Sequence, residues 1–270
     1  ESLDYSLQYN SGSNRAPNSA WLDNWATRLS WSIVDPGCTA AENCTPAEEA
    51  ASRVWLHNLV MGHSTYGFEK QGPIHNISYP FKPVNIEGHA VTFTNTVPGT
   101  SAGFYTLTLN QGEVLYIGGK PVGEPERKYP DGTTINGVAV TGGRVIYNNR
   151  GIALFVGTPS GTTTTSWSVC GYNLTVTPLA SITGCPTGTP KATVSATNGM
   201  VTSITHVDSS VQTLDYATSS AGGRTRSRLS CVREPGQTGC AVTNTYDTCD
   251  GPSGPTTGAP GNYDDAWNGS

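Results

Sequence analysis

The sequence is poor in charged side chains and lacks any long apolar run. Asp, Glu, Lys and Arg make up only 13% of its 270 residues, and the formal net charge is −5. Two Met and five Phe residues are present. No segment reaches the roughly 18 consecutive apolar residues that indicate a membrane-spanning helix. These deficits exclude a coiled coil, a helical bundle and a charge-rich disordered chain, and they predict no membrane span and no nucleic-acid partner.

Glycine and proline are abundant, with 32 and 18 copies, and they separate short segments of alternating polarity. Leu3, Tyr5, Leu7 and Tyr9, for example, alternate with polar residues and so share one face of a strand. Segments of this kind, bounded by Gly, Pro or Asn, predict short strands. The candidate strands are residues 3–9, 28–34, 53–58, 90–96, 103–109, 113–117, 144–148, 152–156, 165–170, 172–177, 192–196, 200–206, 211–216, 225–232 and 241–246.

The residues between these strands favour tight turns. Asn-Gly and Gly-Gly pairs supply the positive φ angles that two-residue hairpin loops need. Such pairs stand at residues 118–119, 136–137, 142–143, 198–199 and 222–223. The sequence therefore predicts an all-β fold of consecutive antiparallel hairpins.

One short segment has the pattern of a helix instead. Thr45 and Glu48 have the spacing of a capping box, and Pro46 stands at the first helical position. We predict a helix over residues 46–52. The β-branched and aromatic residues of 53–57 favour a strand directly after it, although a continued helix is the alternative.

Six of the seven cysteines form neighbouring pairs, and no C-x2-C zinc knuckle is present. The pattern predicts three local disulfides in an oxidising compartment, and hence a secreted or cell-surface protein. The strand-like start of the chain suits a mature protein whose export signal has been removed. Cys249 is left over and is either a free thiol or, as we expect, bonded to a partner outside this chain. The predicted pairs are Cys38–Cys44, Cys170–Cys185 and Cys231–Cys240.

The sequence marks no catalytic, cofactor-binding or metal-binding residue. Gly99, Ser101 and Gly103 match the Gly-x-Ser-x-Gly nucleophile pattern, but a strand-like segment follows where the motif needs a helix, so we interpret them as a hairpin loop. The five histidines lack the spacing of a helical zinc site. Asp247 and Asp250 have only a slight likeness to a calcium loop, since Cys249 replaces a ligand and no Glu follows.

Two further groups of side chains have an ordinary interpretation. Trp21, Trp25 and Trp31 could stack on sugar rings, but we expect them in an aromatic core cluster. Arg224, Arg226 and Arg228 alternate, which places them on one solvated face of a strand.

A loose internal repeat consists of a strand, a turn that contains Gly, and a second strand near a Tyr. Tyr147 to Leu154 is one copy, and further copies lie in residues 197–205, 214–229 and 245–251. These stretches resemble the unit of the RHS or YD-repeat family, in which a Tyr-Asp or Tyr-Asn precedes a Gly-Arg-type turn. Residues 9–11, with Trp21 and Asn24-Trp25, are similar to the segment that precedes the repeats in that family. Residues 53–70 resemble its next step, a strand, a Gly turn and a Phe-containing strand.

The resemblance implies a curved strip of sheet that spirals into a hollow shell. In bacterial members the shell often encloses a C-terminal toxin, and related animal proteins use it as a cell-surface scaffold. By this resemblance, residues 1–140 form an N-terminal β region, residues 141–249 form repeat-like hairpins, and residues 250–270 form a Gly- and Pro-rich extended arm.

The resulting functional expectation is a non-enzymatic extracellular structural segment. Exposed strand edges are ready to pair, so we expect contacts with other polypeptide segments or with copies of the same chain. Two alternatives stay open: a secreted protein that binds or cleaves carbohydrate, and a self-associating subunit of an extracellular fibre. A pair of carboxylates about 5–9 Å apart beside exposed Trp rings would favour the sugar enzyme.

Overall fold

The computed structural model describes residues 3–9, 21–25, 27–35, 37–38, 40–61, 64–71, 80–83, 90–95, 103–221 and 224–245. The chain divides into two compact units. The first unit comprises Glu1–Ser6, Asp23–Leu154 and Tyr172–Ile182, and the second comprises Leu7–Leu22, Phe155–Gly171 and Thr183–Ser270. Cys249, the predicted arm at 250–270, the loop residues 99–102 and the pair 222–223 lie outside the described residues.

Strands dominate the described residues. β1 (Leu7–Tyr9) and β2 (Trp21–Asp23), which belong to the second unit except for Asp23, form a two-stranded sheet. The strands that follow in the first unit are β3 (Thr27–Asp35), β4 (Val54–Met61), β5 (Ser64–Gln71), β6 (Pro80–Pro83), β7 (Ala90–Asn95), β8 (Gly103–Thr108), β9 (Val114–Ile117), β10 (Arg127–Lys128), β11 (Thr134–Val140) and β12 (Gly143–Asn148). From β3 to β12, each strand pairs antiparallel with the next one along the chain.

The second unit repeats this connectivity. After β13 (Ile152–Gly157), the strands are β14 (Thr164–Asn173), β15 (Ala192–Thr197), β16 (Met200–Thr205), β17 (Val211–Ala221), β18 (Arg224–Arg233) and β19 (Val242–Thr243). Each strand from β14 to β19 again pairs antiparallel with its successor. The predicted all-β class and its consecutive antiparallel hairpins are therefore confirmed.

The core of the first unit is a row of side chains across neighbouring strands. Residues that face each other in antiparallel strands share a face of the sheet, and here the pairs Leu59 with Tyr66 and Leu107 with Leu115 are buried. Burial of this row removes large apolar side chains from water, which is the main stabilising contribution to folding. The complete cluster is Leu59, Tyr66, Phe68, Val91, Tyr105, Leu107, Leu115 and Ile117.

The predicted helix is confirmed as α1 (Pro46–Ser52). Thr45 Oγ1 accepts a hydrogen bond from the Glu48 N–H at 3.3 Å, and the Glu48 carboxylate accepts one from the Thr45 N–H at 2.8 Å. These bonds lower the pKa of Glu48 below its ordinary value, chiefly through the Thr45 backbone N–H. The chain is extended again at Arg53, and β4 begins at Val54, so the choice of a strand after the helix was correct.

Two details of the predicted strands were wrong. Residues 172–177 do not form a strand of their own, because β14 ends at Asn173 and the Asn173 side chain accepts the Thr175 N–H at 2.9 Å to make a turn. The Asn136-Gly137 pair was predicted as a turn, yet both residues lie inside β11 and pair with Tyr147 and Ile146. The list of predicted strands also lacked β2, β5, β6, β10 and β11. Of these, β2, β6 and β10 have only two to four residues, too few to show an alternating pattern.

Candidate functional site

A cleft in the first unit brings together an indole, two guanidinium groups and a carboxylate. Its volume is about 300 Å³. Strands β10, β11 and β12 form its floor, and Trp25, just after β2, lies at its side. We call this the Trp25 cleft, and the residues that line it are Trp25, Glu126, Arg127, Ile135, Gly137, Val138, Ala139, Arg144 and Ile146.

The register of the three strands explains the floor. Arg127 faces Ile135, Gly137 faces Ile146, and Ala139 faces Arg144. Because facing residues and alternate residues share a side of the sheet, these six side chains point to one face. Two of the positions on β11 carry almost no side chain, which leaves space above the strand.

Trp25 is held in place by hydrogen bonds near the start of the chain. Its indole Nε1–H donates to the carbonyl oxygen of Asp4 at 2.7 Å, and its backbone N–H donates to Asp23 Oδ1 at 2.9 Å. The neighbouring Asn24 amide adds a donor to the same Asp4 carbonyl at 3.2 Å and accepts the Ser6 N–H at 3.0 Å. These hydrogen bonds fix the orientation of the Trp25 ring.

The two arginines of the cleft have different partners. Arg144 Nη2 lies 2.7 and 2.6 Å from the two carboxylate oxygens of Asp23, which neutralise it. The Arg127 guanidinium lies over the Trp25 ring, 5.0 Å from the ring centroid, within the range of a cation–π contact. Among the described residues, no carboxylate stands within ion-pair distance of Arg127.

The position of the Glu126 side chain in the cleft requires a glycine at residue 137. A Cβ atom at this position would lie 3.1 Å from Glu126 Oε2, closer than a side chain normally tolerates. The absence of a side chain at Gly137 thus leaves room for the Glu126 carboxylate over β11. Sequence reasoning missed this residue because Asn-Gly is a strong turn signal, and only the pairing with β12 shows why the glycine is there.

Trp21 belongs to an aromatic group of the second unit. Its ring centroid lies 5.3 Å from that of Tyr9, and its Nε1–H donates to the Tyr216 hydroxyl at 2.8 Å. The Tyr216 hydroxyl in turn donates to the Val201 carbonyl at 2.7 Å, and Tyr9 accepts the Leu229 N–H at 3.1 Å. Trp21 is therefore half-buried among tyrosines, whereas the Trp25 ring, which was predicted in the same core cluster, contacts Arg127 instead. The side chain of Trp31 lies outside the described residues.

The six paired cysteines lie where the sequence places them. The Cα–Cα distances are 5.9 Å for Cys38 and Cys44, 5.8 Å for Cys170 and Cys185, and 5.4 Å for Cys231 and Cys240. All three fall in the usual range for disulfides, about 4.4–6.8 Å. Such pairs are typical of proteins from an oxidising environment.

The remaining candidate residues are dispersed. His57 lies in β4 and His206 is exposed at a turn, while His63, His75, His89 and Asp247 lie outside the described residues. Among the residues that the structure describes, no three His, Cys, Asp or Glu side chains are grouped to hold a metal ion. Gly103 begins strand β8, in agreement with the strand predicted after the Gly-x-Ser-x-Gly match. The alternating arginines 224, 226 and 228 all lie in β18.

Comparisons with known proteins add no relative. No protein family, curated protein or solved structure matches the chain. Within the described ranges, no helix is both long and apolar enough to cross a membrane.

Proposed function

We propose that the chain is an extracellular structural segment of an RHS or YD-repeat protein, one that forms part of a shell or surface scaffold without catalysing a reaction. The observation that carries the proposal is the strand connectivity. From β3 to β12 and again from β14 to β19, every strand pairs with its successor in sequence. Such serial hairpins extend a sheet by simple repetition, as a wall-forming protein requires.

The turns of the proposed repeat units support this function. Residues 149–151, in the copy that begins at Tyr147, connect β12 to β13. Asn198 and Gly199, in the next copy, connect β15 to β16 with φ angles of 50° and 78°. Two repeat copies thus have the same local role, since each places its Gly-containing turn between consecutive strands.

The three cysteine pairs support an extracellular location for this scaffold. Each pair closes a short loop, with sequence separations of 6, 15 and 9 residues. Short crosslinks of this kind constrain local loops and contribute less to the stability of the whole fold than long crosslinks do. They suit a protein that must withstand an oxidising exterior.

Electron microscopy of the complete gene product tests the proposal. We expect Tyr-Asp units in the sequence that flanks this chain in the gene, and one continuous curved sheet around an enclosed space in the images. Flanking sequence without such units, together with separate globular domains in the images, would contradict it. Non-reducing peptide mapping provides a second readout, in which free thiols at Cys38, Cys170 or Cys231 would refute the extracellular location.

A further inference from the structure

We propose that the Trp25 cleft binds a sugar ring that carries a carboxylate, such as a uronate residue of an acidic polysaccharide. This binding site goes beyond a scaffold function and does not depend on it. Three features of the cleft carry the inference: a guanidinium that no carboxylate of the described residues neutralises, a floor of small and apolar residues, and a neighbouring hydrogen-bond acceptor.

The guanidinium of Arg127 is the anchor for the ligand carboxylate. It lies over the ring of Trp25, which is itself hydrogen-bonded to Asp4 and Asp23. The N–H groups of a guanidinium match the two oxygens of a carboxylate. Arg144, on the same face of the sheet, already forms an ion pair with Asp23. Within the described residues no carboxylate pairs with Arg127, so its charge is available to a ligand.

The floor suits the flat side of a ring. Ala139 leaves β11 low, the Glu126 carboxylate lies over the nearby Gly137, and the buried Ile135 and Ile146, 3% and 4% exposed, close the bottom of the cleft. Ligand sites in proteins combine such apolar surface with a few fixed polar groups. A volume of about 300 Å³ lies at the lower end of the range for small-molecule sites, roughly 300–1,000 Å³, so the cleft accommodates about one ring.

Glu126 distinguishes the expected ligand from other anions. Its carboxylate lies over Gly137 and can accept hydrogen bonds from sugar hydroxyls. The same negative charge disfavours a phosphate monoester, because its second ionisation gives it more negative charge near pH 7 than the single charge of a uronate. A single carboxylate at Arg127 with hydroxyls toward Glu126 satisfies both side chains.

Isothermal titration calorimetry of the intact chain tests the proposal. The probes are disaccharides that contain glucuronate or galacturonate, with lactose and cellobiose as their neutral counterparts. We expect the uronates to bind and the neutral sugars to bind about 10- to 100-fold more weakly, the usual value of a charge-assisted contact. Equal affinity for acidic and neutral sugars would overturn the proposal, as would no binding of uronates at millimolar concentration.

Two variants and one control locate the site. Arg127→Gln should weaken uronate binding about 10-fold or more, and Gly137→Val should abolish it by filling the cleft. Arg150→Gln removes the same charge from an exposed ion pair with Asp131 and should leave affinity unchanged. Circular dichroism verifies that each variant is folded, and Gly137→Val retains the test if Arg127→Gln does not fold.

Two further results would refute the proposed binding site or its ligand. Wild-type affinity in folded Arg127→Gln and Gly137→Val would refute the site. Tighter binding of a Glu-rich peptide than of the uronates would refute the sugar as ligand. None of these results tests the strand connectivity, so the scaffold proposal is tested independently of the binding site.

Discussion

Short polar side chains stabilise the turns of this protein by accepting backbone hydrogen bonds two residues ahead. Asn148 accepts from Arg150 at 3.1 Å, Asp131 from Thr133 at 2.9 Å, and Asp208 from Ser210 at 2.9 Å. Asn and Asp are common in turns because their side chains can make this local bond. At these turns the side chain therefore accepts a backbone N–H hydrogen bond that no neighbouring strand accepts.

Asn148 is the most buried of these residues, with 3% of its surface exposed. Its Oδ1 also accepts the Ile152 N–H at 3.0 Å. Asn148→Ala leaves two backbone donors without this acceptor, and we expect a loss of about 1–3 kcal/mol in the free energy of unfolding. Urea denaturation followed by circular dichroism measures it. The exposed Asn110→Ala is the control, and an equal loss in both variants would contradict the role of Asn148.

The aspartates at the turns predict an acid limit to stability. Hydrogen bonds from Thr133 lower the pKa of Asp131, and those from Ser210 lower that of Asp208, both from an ordinary value of 3.8. A carboxyl group with a lowered folded-state pKa stabilises the fold above its unfolded pKa, and that contribution is lost as the pH falls through the folded value.

We therefore expect stability to decrease below about pH 4, with a shallower decrease in Asp131→Asn than in the wild type. Thermal unfolding midpoints between pH 2 and pH 7 provide the measurement. A pH profile of the variant that coincides with the wild-type profile would show that Asp131 does not contribute.

At the scale of elements, glycine at a hairpin turn decides whether two strands can pair. Asn198 and Gly199 both have positive φ, 50° and 78°, between β15 and β16. A two-residue turn of this kind matches the twist of the strands that it joins. Asn tolerates the conformation and Gly adopts it without a Cβ clash.

Gly199→Ala should lower the free energy of unfolding by about 1–2 kcal/mol, the cost of a left-handed conformation with a Cβ atom. Gly171→Ala is the matched control. Gly171 lies in β14, and an added Cβ atom there meets no atom within 4 Å. Chemical denaturation of both variants should show a loss for Gly199 alone. A stable Gly199→Ala protein would indicate that the turn has another conformation.

For the whole molecule, the three cysteine pairs crosslink a fold whose sheets are formed by neighbouring segments of the chain. The bonds close loops of different lengths, with Cys170–Cys185 the longest at a separation of 15 residues and Cys38–Cys44 the shortest at 6. In the chain-entropy account, a longer loop restricts the unfolded chain more.

Replacement of both cysteines by alanine should therefore cost about 3 kcal/mol for the Cys170–Cys185 pair, and about 1 kcal/mol less for Cys38–Cys44. Thermal melts of the double variants under oxidising conditions measure the difference. The same melts in a reducing agent are the control, because there the variants and the wild type should become similar. A reversed order would show that packing around the cysteines outweighs loop closure.

Local sequence was sufficient for much of this fold. Thr45, Pro46 and Glu48 predicted α1, and Asn198-Gly199 predicted a turn, because capping and positive φ depend on residues only a few positions apart. Cysteine spacing predicted the three pairs for a similar reason, since each pair closes a short loop. The alternation of polar and apolar residues was enough for most of the longer strands, because a sheet of consecutive hairpins pairs each strand with its chain neighbour.

The Trp25 cleft could not be predicted in this way. Asp23 and Arg144 are 121 residues apart in sequence, and Trp25 meets Arg127 across a similar separation. No periodic pattern links such positions, and the strongest local signal, Asn136-Gly137, indicated a turn where β11 continues. The sequence by itself determined most of the strands, the helix and the cysteine pairs. The tertiary structure alone decided that, among the described residues, Arg144 and not Arg127 receives a carboxylate, because charge compensation depends on distances in space.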